Sequence, residues 1–129
     1  SDMETAKEIF SMIGDVVEVD EKLVDAVTAV SGSGPAYFFY FIESLYEVAE
    51  ELKLPRETAK KLVMKTALGS LKLLHELKEE PEALRKRVTS KGGTTEAAFK
   101  VLERGKFKKI IKDAVKEACK RSKKLSKGK

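Results

Sequence analysis

The ten residues Thr89-Ser90-Lys91-Gly92-Gly93-Thr94-Thr95-Glu96-Ala97-Ala98 form a polar, glycine-rich lead that runs straight into a helix start. The first N–H groups of a helix have no internal partner and sit at the positive end of its dipole. Gly92 and Gly93 let backbone approach a ligand closely, and the hydroxyls of Ser90, Thr94 and Thr95 add donors and acceptors. Such a turn suits a small anion such as a carboxylate. The same residues would also make an ordinary helix N-cap with a flexible lead-in. A second turn of related chemistry, Ser31-Gly32-Ser33-Gly34-Pro35, also opens a helix.

Several other chemistries are absent from the chain. A P-loop needs a lysine and a hydroxyl after its glycines, and Gly93-Thr94-Thr95 lacks that lysine. Gly32-Ser33-Gly34 lies between two helices and has no third glycine, so it is not a dinucleotide fingerprint. With His75 the single histidine and Cys119 the single cysteine, no metal cluster, disulfide framework or convincing Ser-His-Asp set can be assembled. Glu79 and Glu80 read as a solvated helix end. The chain by itself has no evident general base and no cofactor cradle, so it is expected to bind rather than to catalyse alone.

Both turns must be carried by helices. Met3–Ile13 reads as a short amphipathic helix, and Val16–Val19 as a short β-branched strand that cannot form a sheet alone and would pair with a partner chain or with a segment outside this sequence. Asp20 caps a helix to Val30, with Leu23, Ala26, Val27 and Val30 facing inward. The first glycine turn breaks it. A helix over Pro35–Leu52 then opens on Ala36-Tyr37-Phe38-Phe39-Tyr40-Phe41-Ile42. A start that is apolar all round calls for burial on every side, which in a small domain points to a second chain. Pro55 opens a long helix to Leu77, with Leu62, Val63, Thr66, Ala67, Ser70, Leu71 and Leu74 inward. Pro81–Val88 and Thr94–Arg104 flank the polar turn. Gly105 breaks the chain before a last basic helix carrying Phe107, Ile110, Ile111, Ala114, Val115 and Ala118. The expected fold is all-α, about seven helices with at most one residual strand.

With 129 residues, 42% of them hydrophobic, the chain is large enough for a core. Its longest apolar stretch, Ala36–Ile42, is far below the roughly 20 residues that span a bilayer. The cysteine count fits a reducing cytoplasm. Net charge is +5, but residues 104–129 hold 12 of the 26 basic and only 2 of the 21 acidic side chains. Phe107 is the one aromatic in that tail, so the interleaving expected of a single-strand nucleic-acid binder is missing. A solvated basic helix face is the simpler expectation.

The segment Asp25-Ala26-Val27-Thr28-Ala29-Val30-Ser31-Gly32-Ser33-Gly34-Pro35-Ala36-Tyr37 strongly resembles the start of the C-terminal domain of the pyrroline-5-carboxylate reductases. Leu54-Pro55-Arg56, Ala67-Leu68-Gly69 and the turn from Val88 to Thr95 follow in that family's order, from about Ile9 to Cys119. The resemblance implies a helical domain of the 6-phosphogluconate-dehydrogenase-like type that interlocks with its twin as a homodimer. Some members assemble dimers into larger rings. It implies reduction of 1-pyrroline-5-carboxylate to L-proline with NADP or NAD as cofactor, bound mainly by a Rossmann domain. Ser90, Gly92, Gly93, Thr94 and Thr95 would hold the substrate carboxylate, with Thr95 the catalytic candidate, its hydroxyl facing the ring nitrogen. Ser31, Gly32, Ser33, Gly34, Pro35 and Ala36 would lie near the nicotinamide, with no metal. Residues 1–19 are expected to be a remnant of the last helix and strand of a missing Rossmann domain, and 20–129 the dimerisation and substrate-binding domain. Without that domain the chain is expected to be inactive. Lys91 departs from the proline common in the family, which loosens the turn and adds a cation beside the carboxylate site.

Two other readings compete. The chain would alternatively be the helical domain of a hydroxyacid or imine dehydrogenase, which usually places an acid–base lysine near its substrate; Lys91 is the only one in a turn. Or its basic last helix would bind nucleic acid.

Overall fold

The computed structural model describes residues 19–128. All regular elements among them are helical, and no strand is present. The expected helix Met3–Ile13, and the expected strand apart from Val19, lie outside the described residues. Among the described residues the helix count is accordingly below the expected seven. The described residues divide into two compact units, 19–38 with 109–128, and Phe39–Lys108.

In the first unit Asp20 caps as expected, its carboxylate accepting from Lys22 N–H at 3.0 Å. The helix that follows is not uniform. A 3₁₀ turn, Glu21–Leu23, tightens its start, α1 is one turn (Val24–Val27), and a π turn, Thr28–Gly32, widens its end. The break falls at Ser33 alone, whose N–H reaches back five residues to Thr28 O at 2.8 Å. Ser31 and Gly32 therefore belong to the helix and not to the break. Two side chains hold this geometry. Thr28 Oγ1 donates to Val24 O at 2.9 Å, and Tyr37 Oη donates to Ala29 O at 2.8 Å. The carboxylate of Asp25 accepts from Ser122 Oγ on the last helix at 2.8 Å. Helix α2, Gly34–Glu51, starts here.

The second unit holds the rest of α2, then α3 (Arg56–Leu77), α4 (Pro81–Arg87) and α5 (Thr94–Arg104), and the start of α6 (Phe107–Lys127). Proline sets two of the starts: Pro55 is the N-cap of α3, and Pro81 the first residue of α4. Three helix ends are closed by lysine in the left-handed region, at Lys53, Lys78 and Lys106. At Lys53 the closure is a Schellman motif: Leu54 N–H bonds Ala49 O at 3.0 Å and Lys53 N–H bonds Glu50 O at 2.9 Å. Gly105 was expected to break the chain. It is the C-cap of α5 with φ −77°, and the reversal is made by Lys106 at φ 56°.

The inward faces expected from periodicity are not covered. Leu23, Val27 and Val30 are exposed, as are Leu62, Leu71, Ile110 and Ile111. Only Val63, Ala67 and Leu74 of the α3 face, and Val115 and Ala118 of α6, are half-buried. The buried apolar residues are small, Ala29, Ala49 and Ala59, and no large side chain among the described residues is fully buried. A 3.6-residue stripe identifies the face that wants cover, but burial follows only where another element lies on it. No described helix is long and apolar enough to cross a membrane.

Candidate functional site

The turn at 89–95 is built from the end of α4 and the start of α5. Thr89 Oγ1 donates to Arg85 O at 2.6 Å, fixing the exit from α4. The Arg85 guanidinium lies 5.2 Å from the centre of the Phe99 ring, joining α4 to α5 beneath the turn. Gly93 N–H closes back on Ser90 O at 3.1 Å, making a four-residue turn with Lys91 and Gly92 at its tip. Gly92 has φ +76°, the left-handed value that this position of a type II turn requires and that glycine supplies without strain.

Gly93 matters for a different reason. Its φ of −88° suits any residue, but a Cβ there would sit 2.5 Å from Ser90 Oγ and 3.2 Å from Ser90 O. A glycine at the N-cap also brings no side chain to cap the helix. The first intrahelical bond is Ala97 N–H to Gly93 O at 3.2 Å. The N–H groups of Thr94, Thr95 and Glu96 consequently have no partner among the described residues. Three converging, unspent donors at the positive end of a helix are what a small anion needs. Thr95 and Gly93 are half-buried; Ser90, Lys91, Gly92 and Thr94 are exposed. Gly92 N–H is taken, at 3.2 Å, by the Glu96 carboxylate, which also lies 3.9 Å from Lys100 Nζ. The expected carboxylate residues Ser90, Gly92, Gly93, Thr94 and Thr95 are thus one continuous structure.

Residues 31–36 belong to the other unit. At the start of α2, Pro35 has no N–H, and Ala36 N–H is spent on Ser33 O at 3.1 Å. A helix start with one donor missing and another engaged makes a poor phosphate cradle, and no strand accompanies it among the described residues. The described residues therefore do not by themselves fit the pyrophosphate of a dinucleotide. They leave room near Gly34, where a Cβ would meet nothing within 4 Å.

Other candidates resolve differently. Glu79 was expected in a solvated helix end. It is instead half-buried, with Oε1 2.7 Å from Arg87 Nη2 and Oε2 buried without a partner among the described residues. Nothing in the sequence marks that pair, because the loop between α3 and α4 brings the two together. Glu80 is exposed, as expected, and His75 is exposed in the last turn of α3. Cys119 is a half-buried free thiol. A cavity of about 220 Å³ in the second unit, lined in part by Glu43, Glu47, Arg56 and Lys60, was not foreseen. No three His, Cys, Asp or Glu side chains among the described residues are grouped to hold a metal ion.

Comparison with known proteins bears on the whole of this architecture. The family model for pyrroline-5-carboxylate reductase dimerisation matches residues 21–125. The pyrroline-5-carboxylate reductase of Synechocystis is 49% identical over 122 residues, covering 95% of this chain and 46% of the relative. The crystal structure of Plasmodium falciparum pyrroline carboxylate reductase with NADP bound superposes with a TM-score of 0.84 at 36% identity. That match covers 95% of this chain and 50% of the other. A pyrroline-5-carboxylate reductase from Coxiella burnetii superposes with a TM-score of 0.79 at 42% identity, covering 84% and 40%. The chain spans about half the length of the curated relatives it matches. The matched region takes in every helix described above apart from the end of α6, and the chain belongs to the pyrroline-5-carboxylate reductase dimerisation family.

Proposed function

We propose that this chain serves a reductase that converts 1-pyrroline-5-carboxylate to L-proline, as its dimerisation and substrate-carboxylate domain. The observation that carries the reading is the family match across residues 21–125, with the polar turn inside it. The unspent N–H groups of Thr94, Thr95 and Glu96 receive the substrate carboxylate, and Ser90, Gly92 and Gly93 shape the turn around it. The Thr95 hydroxyl faces the ring nitrogen, where it steadies the proton of the iminium. A protonated imine is the better hydride acceptor, so this domain contributes orientation and charge placement. NADPH or NADH supplies the hydride, held mainly by a nucleotide-binding domain, with residues 31–36 near its nicotinamide end.

The surface that a single chain leaves open supports a homodimer. Phe38, Phe39, Tyr40 and Phe41 are between 50% and 72% exposed, and burying such a row against a twin is strongly favourable. Larger rings of dimers are compatible with this interface. The reading places the reaction in the cytoplasm, in keeping with the single free thiol.

The test has two parts. Sedimentation equilibrium of this chain at micromolar concentration should give a dimer mass; a monomer would count against the interface. The chain joined to a family nucleotide-binding domain should oxidise NADPH when given 1-pyrroline-5-carboxylate. A folded protein that binds NADPH but turns over only hydroxyacids would instead favour a related dehydrogenase.

A further inference from the structure

The cavity of about 220 Å³ in the second unit lies where α2 turns into α3, and it holds about seven water-sized volumes. Its two walls carry opposite charge. Glu43, Glu47 and Glu50 recur at intervals of four and three residues and so share one face of α2. Arg56 and Lys60, four apart, share one face of α3. Between them the lining is small, because Ala59 there is only 4% exposed and offers a methyl group. Yet no ion pair crosses the cavity. Lys60 lies 3.9 Å from Glu57 on its own helix, and Arg56 and the three glutamates make no ion pair among the described residues. Each wall also carries the sign that its own helix end disfavours. The last turn of α2 holds Glu50 and Glu51 and no basic residue, and Arg56 is the first residue of α3. Mutual attraction across the cavity does not offset these two conflicts. Local preferences broken without compensation concentrate at functional positions. A bound group of opposite sign at each wall would satisfy both the side chains and the helix dipole behind them: a cation at the C-terminal end of α2, an anion at the N-terminal end of α3.

We propose that this cavity is a binding site for a small zwitterion whose ammonium and carboxylate are separated by a short aliphatic chain. The ammonium sits among Glu43, Glu47 and Glu50, and the carboxylate meets Arg56 and Lys60. The two charged walls belong to different helices and do not reach each other, so the ligand's own charges must stand apart to touch both. A plain anion gains one wall and is repelled by the other, and a plain amine likewise. The site is separate from the polar turn at 89–95 and does not depend on how that turn is used.

The test titrates three compounds of one chain length, 5-aminopentanoate, pentanoate and pentylamine, into the ¹⁵N-labelled full chain and follows the amides of residues 43–60. In the wild type 5-aminopentanoate should bind more tightly than either singly charged compound. The near-isosteric E47Q should weaken 5-aminopentanoate about two- to fivefold, the worth of one solvent-accessible ion pair, and should not weaken pentanoate. R56Q should do the same to 5-aminopentanoate without weakening pentylamine. Both changes are at exposed side chains, and dispersed amide spectra verify that each variant is folded. Equal shifts with all three compounds would show an apolar groove with no use for the charges. Binding of pentylamine as tight as that of 5-aminopentanoate would reduce the glutamates to a general cation patch. Either result, or no shift of these amides with 5-aminopentanoate, overturns the proposal, and the wild-type comparison decides it even if a variant does not fold.

Discussion

Replacing Gly93 with alanine isolates a steric requirement from a conformational one. The backbone at 93, φ −88° and ψ 178°, is open to alanine, so no strain in φ arises. The added methyl instead falls 2.5 Å from Ser90 Oγ, well inside contact distance, and 3.2 Å from Ser90 O. The hydroxyl can rotate to another rotamer at modest cost. The carbonyl has less freedom, because it accepts the Gly93 N–H that closes the turn at 3.1 Å. Overpacking of this kind costs roughly 1–3 kcal/mol. Loss of glycine from the unfolded chain returns about 0.4–1 kcal/mol. A net destabilisation of about 1–2 kcal/mol is expected for G93A. Introduced into S90A, where the hydroxyl is gone but the backbone carbonyl contact at 3.2 Å remains, the same change should cost less by the modest rotamer term alone, a coupling of about 0.5–1 kcal/mol. Urea denaturation at one fixed protein concentration measures all four corners of the cycle, and equal m values show that the denatured state is unaltered. A G93A chain as stable as the wild type, or a cost unaffected by S90A, would refute the account of why residue 93 is glycine.

Two further outcomes follow from local geometry. Lys78, the C-cap of α3, is left-handed at φ 52°, where a side chain costs about 1 kcal/mol relative to glycine; K78G should therefore raise the urea midpoint, and G92A, at φ +76°, should lower it. The Glu82 carboxyl is held below the usual carboxylate range, first by its hydrogen bond from Lys86 and then by the charge of Lys86. Its folded pKa is thus depressed, so its favourable contribution is present above the unfolded value and is lost as pH falls through the folded one. A ¹³C carboxyl titration should find Glu82 below the ordinary glutamate value, and K86M should return it toward that value.

The helix boundaries nearest the candidate site were the most legible part of the sequence. Thr94–Arg104 is a helix in both readings because a glycine-rich lead and a following glycine bracket one apolar stripe. Pro81 marks the start of α4 for an equally local reason, its fixed φ and missing N–H. The reversal after α5 was misplaced by one residue. Glycine is the usual left-handed residue, yet Lys106 takes that role, and lysines do so at two other helix ends. The glycine-rich turn at 90–95 and the helix start behind it were readable from composition. That Glu96 would seat itself on Gly92 N–H was not, because the choice depends on Gly93 N–H being spent elsewhere.

What sequence alone determined is the set of local preferences: which segments are helical, where proline and glycine interrupt them, and which face of each is apolar. These depend on neighbours within a few residues, so they are written in the order of the chain. Tertiary structure alone decided the π turn at Thr28–Gly32, to which the Tyr37 hydroxyl bonds from eight residues beyond Ala29, and the tie between Asp25 and Ser122, 97 residues apart. It also decided the Glu79–Arg87 pair across the α3–α4 loop, and left the predicted inner faces of α3 and α6 largely open. Periodicity states that a face needs cover. Only the packing of elements far apart in the chain, or of a second chain, determines whether that cover is found.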